Sequence, residues 1–219
     1  MSFEPARRDV VSTCLILADK GFLAGTGGNV AYRIDDEHFA VTPSATDYYT
    51  MEPQDICVLR LADLARVAGE RRPSIEHRLH AHVLRARPDC RASVHTHQPI
   101  ASAYGLLGCS LEIDHPEDRE TLGPWVASVG YAPSGTRWLA SKLKKAIRAD
   151  INAYLMTNHG VVCCGPTLDE TVRRVEVLEA ICAAFFRDQI KARLGAERGD
   201  AMLRLLTPAL SLRNEELVP

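Results

Sequence analysis

The chain has 219 residues, of which 46% are hydrophobic and 25% are charged, which is enough to bury one sizeable core and is compatible with a single α/β domain over residues 1–219. Its net charge of -2 and its pI near 6.4 argue against general binding to nucleic acids or anionic membranes, because those functions need a pronounced basic excess. Small molecules and protein partners remain as the expected ligands.

The beginning of the chain lacks the basic-then-apolar order of a signal peptide, and no apolar run is long enough to cross a bilayer. The seven cysteines are an odd number without any Cys-x-x-Cys pair, a pattern typical of buried free thiols in a reducing compartment. We therefore expect a cytoplasmic protein.

In chain order, the first half of the sequence predicts helices and strands in alternation. Apolar residues at helical spacing, followed by Gly21, indicate a first helix. Short apolar runs bounded by turn residues indicate strands, and Ser74 can cap a helix that Pro88 ends. The predicted elements are a helix over 5–20, strands over 30–34, 38–41 and 56–61, a helix over 74–87 and a strand over 92–96.

The second half predicts three more helices and two more strands. Thr167 followed by Glu170 is typical of a helix start, and the tail after Gly195 favours a helix. The predicted elements are a helix over 100–107, a polar acidic stretch over 112–120, a helix over 136–149, strands over 153–157 and 161–164, and a helix from 167 to about 192. This order predicts a central sheet with helices around it.

The motif His95-Thr96-His97 lies in a strand-forming stretch, where alternate side chains point to the same face. A third histidine, His159, lies far downstream in the turn Asn158-His159-Gly160. Three neutral imidazoles with one open position are the ligand set of a catalytic zinc site. The alternative is three unrelated histidines, but the spacing favours a metal site and therefore an enzyme.

Glu76 follows Pro73-Ser74-Ile75 at the start of a predicted helix, where the ordinary role of a carboxylate is to complement the helix dipole. His80 lies one turn later on the same face. It can hold or tune Glu76, or merely pack in the core.

Three loops are candidates for binding a phosphate group. The segment 25–29 is rich in glycine but matches neither the Walker nor the G-x-G-x-x-G pattern, so a plain turn is the alternative. Backbone amides together with hydroxyl or amide side chains can nevertheless hold an anion. The side chains in question are those of Thr26, Asn29, Ser44 and Ser74.

These motifs resemble, in the same order, those of the class II aldolase/adducin family, in particular its fuculose-1-phosphate aldolase branch. The resemblance covers about residues 5 to 190 and includes segment 25–30, Thr42-Pro43-Ser44, Pro73-Ser74-Ile75-Glu76 with His80, His95-Thr96-His97, Gly135-Thr136 and Asn158-His159-Gly160. It implies a three-layer α/β/α sandwich with a central, mostly antiparallel sheet. It also implies a cyclic homotetramer with active sites between subunits.

The resemblance further implies roles for individual residues. His95, His97 and His159 would hold zinc, or another divalent ion such as Mn²⁺ or Co²⁺, and Glu76 would be the acid/base. The residues that match the family's phosphate site are Thr26, Gly28, Asn29, Ser44 and Ser74, with the backbone amides of Ala45 and Ile75 as further donors.

The sequence departs from the family pattern at three places. Ile75 stands where the aldolases commonly have a second serine, and Ala45 stands where they commonly have glycine. The tyrosine that the aldolases supply across the subunit interface has no equivalent in the segment 113–118. His115 in that segment is a candidate substitute proton donor, since its unperturbed pKa of about 6.5 suits proton transfer near neutrality; the alternative is an exposed loop histidine.

The expected activity is the cleavage of a short ketose 1-phosphate to dihydroxyacetone phosphate and an aldehyde, through an enediolate that the metal stabilises. One alternative is a metal-dependent decarboxylase of a keto sugar-acid phosphate on the same fold. A 4-epimerase is disfavoured, because that branch usually has aspartate at the position of Glu76. A non-catalytic, adducin-like scaffold is disfavoured by the intact histidines and Glu76.

Overall fold

The structure is a computed structural model that describes residues 3–23, 25 and 27–211, with side chains up to residue 205. The helices in this part of the chain are α1 (Glu4–Asp19), α2 (His77–Ala86), α3 (Pro99–Gly105), α4 (Pro116–Leu122), α5 (Arg137–Ala146), α6 (Leu168–Leu194) and α7 (Ala196–Ser211). The strands are β1 (Asn29–Arg33), β2 (His38–Val41), β3 (Cys57–Arg60), β4 (Arg66–Ala68), β5 (Ala92–Thr96), β6 (Leu111–Glu112), β7 (Trp125–Val129), β8 (Ala153–Met156) and β9 (Gly160–Gly165).

The strands form one sheet in the order β4-β3-β2-β1-β5-β9-β8-β7-β6. Every neighbouring pair is antiparallel except β7 and β8, which are parallel. The expectation of a central, mostly antiparallel sheet between helices is therefore confirmed. None of the helices in the described residues is both long enough and apolar enough to cross a membrane.

Helices cover the two faces of the sheet, and the strands alternate their side chains between them. On β9, Val161 and Cys163 pack in the same cluster as residues of α1, α3, α4 and α6. Val162 and Cys164 pack with residues of α2 and α5 on the opposite face. On β5, Ser93 accordingly reaches His80 of α2. His95, two residues after Ser93, therefore lies on the α2 face as well.

Besides the short 3₁₀ helix Pro53–Asp55, four elements were not predicted from the sequence. The strand β4 is three residues long and mostly exposed at the sheet edge, so it carries no apolar alternation. The stretch expected to be only polar and acidic contains β6 and α4, and β7 follows Gly123-Pro124. These segments are short and bounded by turn residues, which hides their periodicity.

The start of α2 differs from the prediction. The helix begins at His77 with Glu76 as its N-cap residue, not at Ser74. Pro73 pairs with Pro43 in an isolated antiparallel bridge, and this bridge holds the preceding residues in an extended loop. The Ser74 hydroxyl accepts a hydrogen bond from the backbone amide of Glu76 at 3.2 Å. Ser74 thus shapes the turn before the helix.

Candidate active site

The three predicted ligand histidines meet at the ends of neighbouring strands. His95 is fully buried on β5, His97 follows that strand, and His159 lies in the turn between β8 and β9. The rings of His95 and His159 are stacked, with centroids 4.9 Å apart and planes 8° from parallel. One ring nitrogen from each histidine lies within 4.8 Å of the other two, a spacing that can hold a metal ion.

Gly160 permits this close approach. A Cβ atom at Gly160 would lie 2.4 Å from the carbonyl oxygen of Thr96 and 3.0 Å from Cε1 of His95. Asn158, two residues earlier, adopts the left-handed conformation with φ of 52°, which asparagine tolerates better than most residues. The sequence Asn158-His159-Gly160 therefore folds as a tight turn that presses His159 against His95.

The hydrogen bonds of the histidines leave their Nε2 atoms directed at one another. Nδ1 of His95 donates to the carbonyl of Val161 at 2.7 Å, so neutral His95 has a bare Nε2. This Nε2 lies 3.0 Å from Nε2 of His97. Burial, together with the neighbouring charge of His95 and His159, lowers the pKa of His97 to about 4, which keeps its ring in the neutral, ligating form.

The third candidate ligand atom, Nε2 of His159, has no hydrogen-bond partner among the described residues. Nε2 of His159 lies 2.9 Å from Oε1 of Glu76, which is an ion-pair distance without the angles of a hydrogen bond. Among the described residues this buried nitrogen thus has no hydrogen-bond partner. Three imidazole nitrogens that converge, one of them without a hydrogen-bond partner, fit a divalent cation.

Glu76 borders the histidine cluster and is itself buried. Its Oε1 accepts a hydrogen bond from the Ser134 hydroxyl at 2.8 Å, and its Oε2 accepts one from Nδ2 of Asn29 at 3.0 Å. Burial by itself would raise the pKa of Glu76, but the interactions with His159, His95 and Asn29 outweigh burial and hold the pKa far below its ordinary value. The carboxylate is therefore ionised in this arrangement.

Asn29 lies in an unexpected environment. Its side chain is buried, and besides donating to Glu76 it accepts a hydrogen bond from Nε2 of His80 at 2.6 Å. His80 in turn lies 2.8 Å from the hydroxyl of Ser93 through Nδ1. The side chain of Asn29 thus faces the carboxylate and the core, and its contact with a phosphate stays a prediction.

The two loops with Ser44 and Ser74 are joined by the bridge between Pro43 and Pro73. The amide of Ser44 donates to the carbonyl of Arg72 at 2.8 Å, and the Ser74 amide donates to that of Thr42 at 2.9 Å. In the described part of the chain, the amides of Ala45 and Ile75 have no hydrogen-bond acceptor. These amides remain available to an anion.

Two further residues of the predicted phosphate site are Gly28 and Thr26. Gly28 has φ of 88°, and a Cβ atom there would lie 2.8 Å from the carbonyl oxygen of His95, so this loop also packs closely on β5. The hydroxyl of Tyr48 donates to the Gly28 carbonyl at 2.7 Å. Thr26 lies outside the described residues.

His115 lies away from the histidine cluster, and Ser134 contacts the site although the sequence did not predict it. His115 is exposed before α4, next to the edge strand β6, whereas the histidine cluster lies between β5 and β9. Ser134, by contrast, contacts Glu76 directly but was not predicted. The only signal for it was its position beside the motif Gly135-Thr136.

The segment after His97 is anchored from the other face of the sheet. Nε2 of Gln98 donates to the carbonyl of Val175 on α6 at 3.0 Å. The carboxylate of Glu179, also on α6, accepts hydrogen bonds from the amides of Ile100 and Ala101 at 2.8 Å each. Helix α6 thereby fixes the beginning of α3 and the turn that carries His97.

Known proteins are similar to this chain over most of its length. The family described as "Class II Aldolase and Adducin N-terminal domain" matches residues 8–186. The chain is 30% identical over 174 residues to an L-fuculose phosphate aldolase of Methanococcus vannielii, covering 80% of this chain and 92% of that protein.

Two more proteins are similar over most of their length. A 5-deoxy-D-ribulose 1-phosphate aldolase of Bacillus thuringiensis serovar kurstaki is 30% identical over 190 residues, which are 85% of this chain and 86% of that protein. A solved structure of an L-fuculose 1-phosphate aldolase has a TM-score of 0.78 and 25% identity, covering 94% of this chain and 98% of that one.

Proposed function

The chain belongs to the class II aldolase and adducin family and is an aldolase-type lyase, and on this basis we propose that it cleaves a short ketose 1-phosphate to dihydroxyacetone phosphate and an aldehyde. The similar proteins support this substrate class, because their names specify fuculose phosphate and 5-deoxy-D-ribulose 1-phosphate. The alternative of a non-catalytic scaffold is not favoured, since the histidines and Glu76 converge in one place.

The observation that carries the proposal is the buried Glu76 carboxylate beside three converging imidazoles. We propose that His95, His97 and His159 hold zinc, with Mn²⁺ or Co²⁺ as substitutes. A divalent ion bound there supplies Lewis-acid stabilisation for the negative charge that develops on the oxygens of the three-carbon fragment. No Schiff-base lysine is then required.

In cleavage, the bond between C3 and C4 of the ketose breaks and its electron pair stays on C3. The C4 hydroxyl loses its proton and becomes the aldehyde carbonyl, while C3 takes up a proton. We assign the proton transfer at C3 to Glu76, which accepts this proton in the condensation direction and returns it in cleavage. Asn29 and Ser134 hold the two oxygens of this carboxylate.

We propose that the substrate phosphate binds at the paired loops beside Glu76. Ser44 and Ser74 provide hydroxyls, and the amides of Ala45 and Ile75 are without acceptors among the described residues. We also assign the backbone at Gly28, where φ is 88°, and the hydroxyl of Thr26 to the phosphate site. The side chain of Ile75 is 59% exposed and apolar, so it offers no hydrogen bond of its own to the phosphate.

His115 is assigned a role only from a neighbouring subunit, because it is exposed and separated from the histidine cluster by several strands. We propose a homotetramer in which His115 of one copy gives or takes the proton on the aldehyde oxygen in the site of the next.

The seven free thiols support the proposal of a cytoplasmic location.

The test is a panel of ketose 1-phosphates, including L-fuculose 1-phosphate and 5-deoxyribulose 1-phosphate, and of 3-keto sugar-acid phosphates. Triose phosphate and carbon dioxide are scored separately for the zinc-loaded protein. We expect triose phosphate and an aldehyde from at least one ketose. Carbon dioxide without an aldehyde would replace the aldolase by the decarboxylase, and inactivity with every divalent ion would favour the scaffold.

A further inference from the structure

We propose that His80 is a positioning residue for the proton transfer, acting on Glu76 through Asn29. The inference rests on the proposed function, because it presumes that Glu76 moves a proton at carbon. Its starting observation is the line of hydrogen bonds from Ser93 through His80 and Asn29 to Glu76, four residues that are all buried.

The direction of each hydrogen bond in this line is determined by the chemistry of the groups. An ionised carboxylate only accepts, so Asn29 must turn its NH₂ group toward Oε2 of Glu76. Its carbonyl oxygen then faces His80 and also only accepts. Nε2 of His80 must therefore carry the hydrogen, and its bare Nδ1 accepts from the Ser93 hydroxyl.

Only one orientation of the Asn29 amide satisfies all of its neighbours. If the amide rotated by half a turn, its oxygen would face the Glu76 carboxylate and its NH₂ would face the N–H of His80. The contact with the carboxylate would be repulsive for either tautomer of His80, and no water can compensate for it because Asn29 is 5% exposed and His80 is fully buried. His80 thus holds the Asn29 amide in the orientation that donates to Glu76.

The other contact of the carboxylate cannot replace this one. Ser134 donates to Oε1 from a loop before α5, and this residue is exposed. Asn29, by contrast, is fixed on β1, which pairs with β5 so that Asn29 lies opposite His95. The inner contact therefore sets the angle of the carboxylate relative to the histidine cluster.

The ionisation state of His80 agrees with its role as a neutral donor. Burial, followed by the charge of His95, lowers the pKa of His80 to about 3, although Glu76 acts in the opposite direction. The ring therefore stays neutral at the pH values at which aldolases are assayed, and the single hydrogen on Nε2 stays available to Asn29.

Two nearly isosteric variants separate positioning from mere packing. In His80→Gln the side-chain amide nitrogen can take the place of Nε2 and donate to Asn29. In His80→Asn the shorter amide takes the place of Nδ1, keeps the contact with Ser93 and leaves Asn29 without its donor. Both variants remove the ring, so a purely structural role would affect them alike.

The assay is the exchange of the C3 hydrogen of dihydroxyacetone phosphate with deuterated water, followed by NMR with the zinc-loaded protein. It isolates the proton transfer and requires no aldehyde. We expect His80→Asn to slow the exchange on the order of 10- to 100-fold with similar half-saturation and zinc content, and His80→Gln to recover most of the rate.

The outcomes keep the two proposals apart. Absence of exchange in the wild-type protein would contradict the proposed function, whereas exchange in wild type with equal rates in His80→Asn would overturn the role of His80. Equal losses in both variants would also overturn it. If His80→Asn fails to fold, His80→Phe tests the same line, because it keeps a ring in the core but has no donor for Asn29; an unchanged exchange rate there would count against the proposal.

Discussion

His95 donates a hydrogen bond from Nδ1 to the main-chain carbonyl of Val161, and the two atoms are 2.7 Å apart. The two residues lie on the antiparallel strands β5 and β9, which are neighbours in the centre of the sheet. A carbonyl behind a ligand imidazole fixes both its tautomer and its orientation. The backbone of β9 thus prepares Nε2 of His95 for a metal ion.

This contact leads to a prediction about metal binding. In His95→Asn the amide nitrogen can replace Nδ1 and keep the bond to Val161, but the Nε2 ligand is lost. We expect the purified wild-type protein to contain about one zinc per chain, and His95→Asn to lose it while retaining the fold. Elemental analysis and circular dichroism check this; full zinc occupancy in the variant would contradict the assigned ligand set.

For Glu76→Gln we expect zinc binding to persist and turnover to fall by roughly 100-fold or more, as is typical of a lost general base. The amide retains the size of the carboxylate but cannot accept a proton from carbon. Steady-state kinetics with the best substrate of the panel, together with zinc content, measure the effect. Unchanged turnover would remove Glu76 from the mechanism.

Gly160→Ala tests the close approach of the two strands. The added methyl group would overlap the carbonyl of Thr96 at 2.4 Å, and backbone atoms cannot move aside as a side chain can. We expect a loss of about 1–3 kcal/mol in the free energy of unfolding and weaker zinc binding. Gly105→Ala is the matched control, because its nearest contact at 3.5 Å is ordinary; equal effects in urea titrations of the two variants would contradict the argument.

The buried His80 predicts a pH dependence of stability. Its pKa is about 3 in the folded protein and about 6.5 when unfolded, so the unfolded chain binds more protons between these values. The stabilising effect is complete above pH 6.5 and is lost as the pH falls toward 3. Compared with His80→Gln, we expect the metal-free wild-type protein to lose about 2 kcal/mol more between pH 7 and pH 5.

Urea titrations of both proteins at the two pH values measure this difference. The titratable groups that act on His80 are His95, Glu76 and His77, and all three are present in both proteins. Their own contributions therefore largely cancel in the comparison. Parallel loss of stability in the two proteins would show that His80 does not remain neutral in the folded state.

The sequence predicts those features that depend on local chemistry. The strand β5 and the cap of α6 by Thr167, whose hydroxyl accepts from the amide of Glu170, follow from residues close together in the chain. The grouping of His95 and His97 likewise follows from strand alternation. The count of three histidine ligands suggested His159 as the third, and resemblance to the family was needed to join Glu76 to them as one site.

Features that depend on contacts between distant segments were not predicted. Asn29 and His80 are 51 positions apart in the chain, and nothing local distinguishes this histidine from one that merely packs in the core. Ser134 similarly reaches Glu76 across 58 residues. The parallel pairing of β7 with β8 also arises from tertiary packing, because the pattern of a short strand does not encode its neighbour.

The hydrogen bonds that join Gln98 and the start of α3 to helix α6 have a consequence for the metal site. They make the position of His97 depend on a helix that lies across the sheet from α2 and contributes no ligand. A change such as Glu179→Ala would leave two amides at the start of α3 without their acceptor. We expect this to reduce the support that α6 gives to the position of His97. We therefore expect the affinity of the proposed metal site to depend on both helical layers and on the sheet between them.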